Sequence, residues 1–424
     1  MKVQLKSLSL MLVATLMFVG CGNDPKEKLV VASSKLSRDL NPAVSESQLK
    51  NLSEDNNAFA FDIFAKLQEN EHKNIFISPY SISQALAMTY AGAKGVTKNQ
   101  MTQTLHFNQN DDDLHSSFNA LDLHLNYTEG NYTFSVVNAL WAQKGYKFLD
   151  NYLDLLKVNY GADVNLLNFA EGEKSRQIIN SWVGDKTHQK IKDLIPKGAL
   201  NAETKFVLTN AIYFKGDWLN EFEKENTKKG DFTLLDESRK EVDFMHQTDY
   251  FPYADDENYQ AIELPYKGNR TSMVVVLPKD GKFQDVASDI KNVYQKVISD
   301  KNQTRINLKM PKFKFTTDVY RLKEYFKKLG MVEPFSDEAD FSGMTGEPKL
   351  KIKEILHKAF IKVDEKGSEA AAATAVIMNA ASATGPTEPI KTINMFINRA
   401  FLFFIRDIKS GQVLFMGIVK DPQK

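Results

Sequence analysis

The stretch Val363 to Val376, VDEKGSEAAAATAV, restricts the fold of this chain more than any other, because it has the length of a strand and none of a strand's bulk. Gly367 is free to take backbone angles that other residues resist. Laid out as an extended chain, Ser368, Ala370, Ala372, Thr374, Val376 and Met378 share one face, with Glu369 on the opposite, wet face. Such a small face can slide between existing strands. Alanine is also the best helix former, so composition alone reads the same run as a helix. A downstream segment limits that reading: Ala383 to Pro389, ATGPTEP, carries two prolines and a glycine, which stop any helix and open a loop.

Length and charge set the frame. At 424 residues the chain is long enough for two or three domains or for one large mixed domain. Its 54 basic side chains equal its 54 acidic ones, so no global field draws it to nucleic acid. The N-terminus has Lys2 and Lys6, an apolar run from Leu8 to Val19, then Gly20-Cys21, which predicts a secretory signal over 1–20. Phe18-Val19-Gly20-Cys21 resembles the bacterial lipoprotein cleavage box, with Phe18 where leucine is usual. The expected product is a protein acylated at Cys21, held at the bacterial cell envelope, periplasmic or surface-exposed. Cys21 is the single cysteine, so stability comes from packing and not from an internal disulfide. The polar composition of 21–50 suits a flexible tether, with the folded domain at 51–424.

Within that domain Phe59, Ile63 and Leu67 recur at helical spacing, and Gln84 to Ala93 reads as a second, more deeply buried helix. Asn151 to Asn159, Ser175 to His188 and Val319 to Leu329 read as helices too. Phe134 to Leu140, Lys205 to Phe214, Ser272 to Leu277, Arg305 to Met310 and Phe401 to Ile405 read as strands, several too apolar for a half-exposed sheet. Helices cluster early and strands late without repeats, which predicts an α+β fold.

For catalysis the sequence is poor. It has no phosphate-binding glycine loop, no dinucleotide fingerprint, no HExxH pair and no GxSxG elbow. Its seven histidines are scattered with no two at the spacing of a helical metal pair, so no metal and no cofactor is expected. The Lys-rich pieces Lys224 to Lys229 and Lys309 to Lys314 read as solvated faces.

VDEKGSEAAAATAV is similar to the hinge of serpins, the serine-protease inhibitors with a metastable sheet. Three further stretches resemble serpin segments in family order: KNIFISPYSISQALAMTYAGAKGVT (Lys73 to Thr97), LTNAIYFKGDWLNEF (Leu208 to Phe222) and NRAFLFFIRDIKSGQVLFMGIVKDP (Asn398 to Pro422). The resemblance covers essentially everything after about Asn51. It implies a single domain of three β-sheets and about nine helices with an exposed reactive loop. It also assigns residues: Ser78, Ser81, Asn210 and His357 to the shutter behind the central sheet, and Trp218 to the breach where the loop first enters. Lys312 and Glu365 match an ion pair beside Trp218, expected to be partly exposed and worth roughly 0–1 kcal/mol. The hinge itself runs Glu365, Lys366, Gly367, Ser368, Glu369, Ala370, Ala371, Ala372 and Ala373.

The mechanism the resemblance implies is a suicide trap, in which a protease cuts the loop and the freed hinge inserts into the sheet with the enzyme attached. Inserting about 14 residues moves the attached end about 45 Å at roughly 3.3 Å per residue. Counted from Glu365 as in typical inhibitory serpins, the resemblance implies a cut after Ala381, before Ser382, and a small alanine there suits the shallow primary pocket of an elastase-like serine protease. A cysteine protease is the other target class. Met378 is a neighbouring bait, and Lys391 lies too far from Gly367 for a standard insert. A monomer is expected. The alternative reading is a non-inhibitory member acting as a binding module, against which the all-small hinge argues.

Overall fold

The computed structural model describes residues 29–126, 133–348, 350–368 and 391–423. Two hydrogen-bonded arrays of strands carry the body. The central, eight-stranded sheet runs Val30–Ala32, Val164–Leu167, Thr133–Gln143, Phe206–Asp217, Gly367–Ser368, Glu354–Val363 and Phe313–Thr316, with Tyr320–Arg321 also paired to Glu354–Val363. The nine-stranded array contains the 17-residue strand Arg239–Asp255, which it uses as a bridge. That strand pairs with Lys228–Thr233 and with Asn302–Pro311, which in turn pairs with Ile393–Phe396. Its last residues, Tyr253 to Asp255, join Tyr259–Pro265 and so the remaining strands. Besides the central sheet there are thus a larger and a smaller group of strands, and one long strand runs through both.

Alternation along the strands decides what each face meets. On Phe206–Asp217, residues Phe206, Leu208, Ile212 and Phe214 point into the main core between the two arrays. Val207 and Ala211 point the other way, with Val137, Trp141, Leu356 and Phe360, into a second core under the helix Gly172–Lys186. The helix Pro79–Tyr90 is buried at all twelve positions, as expected of a helix enclosed in the main core. It starts earlier than the predicted Gln84: Ser78 caps it and Pro79 fills its first turn, a start signal present in the sequence. Phe59, Ile63 and Leu67 are buried on the helix Glu46–Gln68, as their spacing requires.

The other predicted elements coincide with observed ones to within a few residues, except Val319 to Leu329. There the backbone first forms the short strand Tyr320–Arg321 against His357 and Leu356, and only then the helix Lys323–Lys328, because burying Tyr320 beside the sheet takes precedence over helical continuity. Ten α-helices and two 3-10 turns are present among the described residues, against about nine expected. No helix among them is long and apolar enough to cross a membrane.

The predicted tether needs correction in its second half. Val30–Ala32 pairs antiparallel with residues 164–166 at the edge of the central sheet. Ser33 and Ser34 bond to Asp163 and Asp154, both at 2.5 Å, and the Asp39 N–H donates to the Val158 carbonyl at 3.0 Å. Polar composition is as compatible with docking by side-chain hydrogen bonds as with a free linker, which is why it misleads here. Residues 21–28 of the expected tether, the signal 1–20 and Cys21 lie outside the described residues.

Candidate functional site

The site is the seam between two strands of the central sheet. Phe206–Asp217 and Glu354–Val363 run parallel and pair directly only over 207–212 and 354–359. Above that zipper they diverge, and Gly367–Ser368 lies between them, opposite Asp217 and Gly216 on one side and Val363 on the other. Among the described strands none lies between residues 213–215 and 360–362, and this part of the seam is the slot. Glycine is required at the top of it: a Cβ on residue 367 would lie 2.1 Å from the Gly216 carbonyl oxygen.

Aromatic packing and main-chain bonds fix the hinge at the head of the slot. The buried Trp218 stacks on Tyr266 with centroids 4.6 Å apart and planes 9° from parallel. Its indole N–H donates to the Asp364 carbonyl at 3.0 Å, its backbone N–H to the Lys366 carbonyl at 2.7 Å. The Phe222 N–H reaches the Glu365 carbonyl at 2.8 Å, and the Tyr266 and Ser368 hydroxyls are 2.7 Å apart in the interior. Lys312 and Glu365 do meet, at 2.9 Å. The pair is less exposed than expected: the Glu365 side chain keeps 8 % of its surface and also accepts from the Thr227 hydroxyl at 2.9 Å. Burial pushes that carboxyl's pKa up, but hydrogen bonds from Lys312, from its own backbone N–H and from Thr227, with the Lys312 charge, outweigh it and hold it below the usual range.

Below the slot the four predicted shutter residues come together. Asn138, Asn210 and His357 stand opposite one another on three adjacent strands, all on the face toward the main core. The Ser78 N–H donates to His357 Nε2 at 3.3 Å, so the ring proton sits on Nδ1, where it meets the side-chain Oδ1 of Asn210. Burial lowers the His357 pKa to about 3, which keeps the ring neutral. Ser81 Oγ donates to Asn138 Oδ1 at 3.2 Å and receives the Asn210 amide at 2.5 Å, while Ser78 Oγ holds the Leu414 carbonyl at 2.7 Å. Sequence reasoning does not single out Asn138, nor Gln84, Tyr266 and Thr227 as members of the site. A lone asparagine inside the apolar run VVNALW is the available signal for the first.

Ala381, Ser382 and the hinge residues Glu369, Ala370, Ala371, Ala372 and Ala373 lie outside the described residues. No group of three metal-ligating side chains occurs among the described ones.

Comparison with known proteins agrees with this geometry. The family model "Serpin (serine protease inhibitor)" matches residues 54–422. Serpin B3 of Homo sapiens is 39% identical over 396 residues, covering 88% of this chain and 100% of that protein. The leukocyte elastase inhibitor of Homo sapiens is 38% identical over 389 residues, with coverage of 88% and 100%. The crystal structure of a thermophilic serpin, tengpin, in the native state aligns with a TM-score of 0.79 at 28% identity, covering 92% of this chain and 97% of that one. With a hinge seated in a slot of the central sheet, a polar cluster where the strands part and relatives matched over their full length, this chain belongs to the serpin family.

Proposed function

We propose that the protein is an irreversible, suicide-type inhibitor of an elastase-like serine protease, cut after Ala381 and acting as a monomer at the bacterial cell envelope through an acyl chain on Cys21. The observation that carries this reading is the slot with Gly367 and Ser368 already paired in its mouth. Each further residue that enters gains ladder hydrogen bonds of about 1 kcal/mol net, against a backbone ordering cost of similar size. Burial of the inward side chains therefore tips the balance, and Ala370, Ala372 and Thr374 are small enough to be buried without strain. The leukocyte elastase inhibitor among the relatives supports an enzyme with a shallow primary pocket as the target.

Incubating the protein with pancreatic elastase is expected to give a covalent complex that survives SDS, with mass spectrometry placing the ester at Ala381. Cleaved protein alone, with no complex across a panel of serine and cysteine proteases, would leave only the binding-module reading standing. Metabolic labelling with a fatty-acid analogue in a bacterial host tests the anchor, since Cys21→Ser should abolish the label.

A further inference from the structure

The polar cluster under the slot does not end at Asn138. The Asn138 amide donates to Gln84 Oε1 at 3.1 Å, and the Gln84 amide donates to Asp122 Oδ1 at 3.2 Å. Asp122 Oδ2 in turn receives the Arg38 guanidinium at 2.7 Å. Taken from the other end, the donors point one way: the Ser78 N–H to His357, His357 to Asn210, Asn210 to Asn138, Asn138 to Gln84, Gln84 to Asp122. The chain terminates on the Asp122 side chain, 10 % exposed, and Arg38 supplies the matching charge. Hydrogen-bonded dipoles in series polarise one another, so charge at one end strengthens every bond in the line.

We infer that Arg38 and Gln84 are positioning residues for the opening of the central sheet. This inference rests on the loop-insertion reading above. His357 and Asn210 stand directly opposite each other on the two strands that must part, within the paired stretch just below the slot, so their hydrogen bond ties those strands together where they have to open. Asn210 can hold its carbonyl oxygen toward His357 only while its amide group is turned toward Asn138 and Ser81. The Arg38–Asp122 pair fixes that orientation from the far end of the line through Gln84 and Asn138. Arg38 lies ahead of the family-matched residues and is held by the docked segment around it. Its Nε donates to Asn119 Oδ1 at 2.8 Å, and the Asn119 amide donates to the Asp39 carbonyl at 2.7 Å. The N-terminal segment thereby biases whether the sheet admits a strand.

The test uses the full chain and a synthetic peptide with the sequence of residues 368–381, SEAAAATAVIMNAA, whose uptake is followed on native gels. Arg38→Ala is expected to speed uptake about threefold to tenfold, in the lower part of the range of coupling between residues in one hydrogen-bonded network. Arg38→Lys should restore a rate near that of the parent protein. Gln84→Met should accelerate uptake as Arg38→Ala does, and the double variant should be no faster than either single one. Multiplying effects, or a lowered thermal midpoint with unchanged uptake, would overturn the inference. The His357 Nδ1–H resonance gives an independent readout: it should move in Arg38→Ala, and a fixed resonance also overturns the proposal. Refusal of the peptide by the parent protein would sink the loop-insertion reading instead, with the His357 resonance still deciding the link to Arg38.

Discussion

At the scale of single residues, the site works by placing polar groups where only one arrangement satisfies them. Glu365 is a near-buried carboxylate with two side-chain donors, so removing one matters more than for a surface ion pair. Lys312→Met is expected to cost about 1–2 kcal/mol, between the exposed-pair range and the full penalty of an unpaired buried charge, because Lys312 itself remains partly solvated. Thermal unfolding checks it, and an unchanged midpoint would contradict the burial argument. The depressed Glu365 pKa means that its contribution is present above the ordinary glutamate value and is lost as pH falls through the folded one. His357 has the same sign for a different reason. Its folded pKa of about 3 lies below the ordinary 6.5, so the unfolded chain binds the extra proton between those values and stability falls as pH drops through that window. A neutral Nδ1–H ring should persist at pH 5 in nitrogen-15 NMR, and His357→Gln should flatten this part of the stability profile.

At the scale of elements, the hinge and the slot are two halves of one strand pairing. Among the described strands none lies between residues 213–215 and 360–362, and the hinge has no side chain larger than threonine at alternate positions up to residue 374. Ala372→Arg places a long cation on that inward face, where burial without a partner is costly. Insertion should then lose the race with deacylation, and the protein should be turned over as a substrate, read as a stoichiometry of inhibition far above one. Retained one-to-one inhibition would contradict the insertion argument. Gly367→Ala acts at the mouth of the slot, where the added carbon meets the Gly216 carbonyl. Loop insertion should slow and the stoichiometry rise, with the backbone shift visible as faster amide exchange at Asp217.

Across the whole molecule, the proposed function requires the central sheet to admit one more strand between Phe206–Asp217 and Glu354–Val363. If the cut loop supplies that strand, as proposed, the cleaved protein should unfold at least about 10 °C above the intact one, equivalent to several kcal/mol. Differential scanning calorimetry before and after limited proteolysis measures it, and an unchanged midpoint would mean that the slot does not fill.

Much of this is legible in the chain alone. Alternation places Phe134 to Leu140 and Phe401 to Ile405 as strands, and the spacing of Phe59, Ile63 and Leu67 marks the first long helix, because these patterns report local periodicity. The hinge is ambiguous by propensity and becomes a strand-like segment through the residues after it and the motifs that agree with it. Glycine at 367, small residues at alternate positions and proline only after Ala381 are properties of the chain itself. Other features belong to packing: a slot already primed by two residues, a Glu365 shielded by Thr227, and Asn138 aligned with Asn210 and His357. So does Arg38, which a polar composition assigns to a free tether and which instead reaches Asp122 across 84 positions of sequence. Which segment has the make-up of a spare strand can be read from the chain, since side-chain size and backbone freedom are local. What ties the seam together, His357 to Asn210 and Asn210 to Asn138, comes from packing, since these partners lie far apart in the chain and meet only once the core has formed.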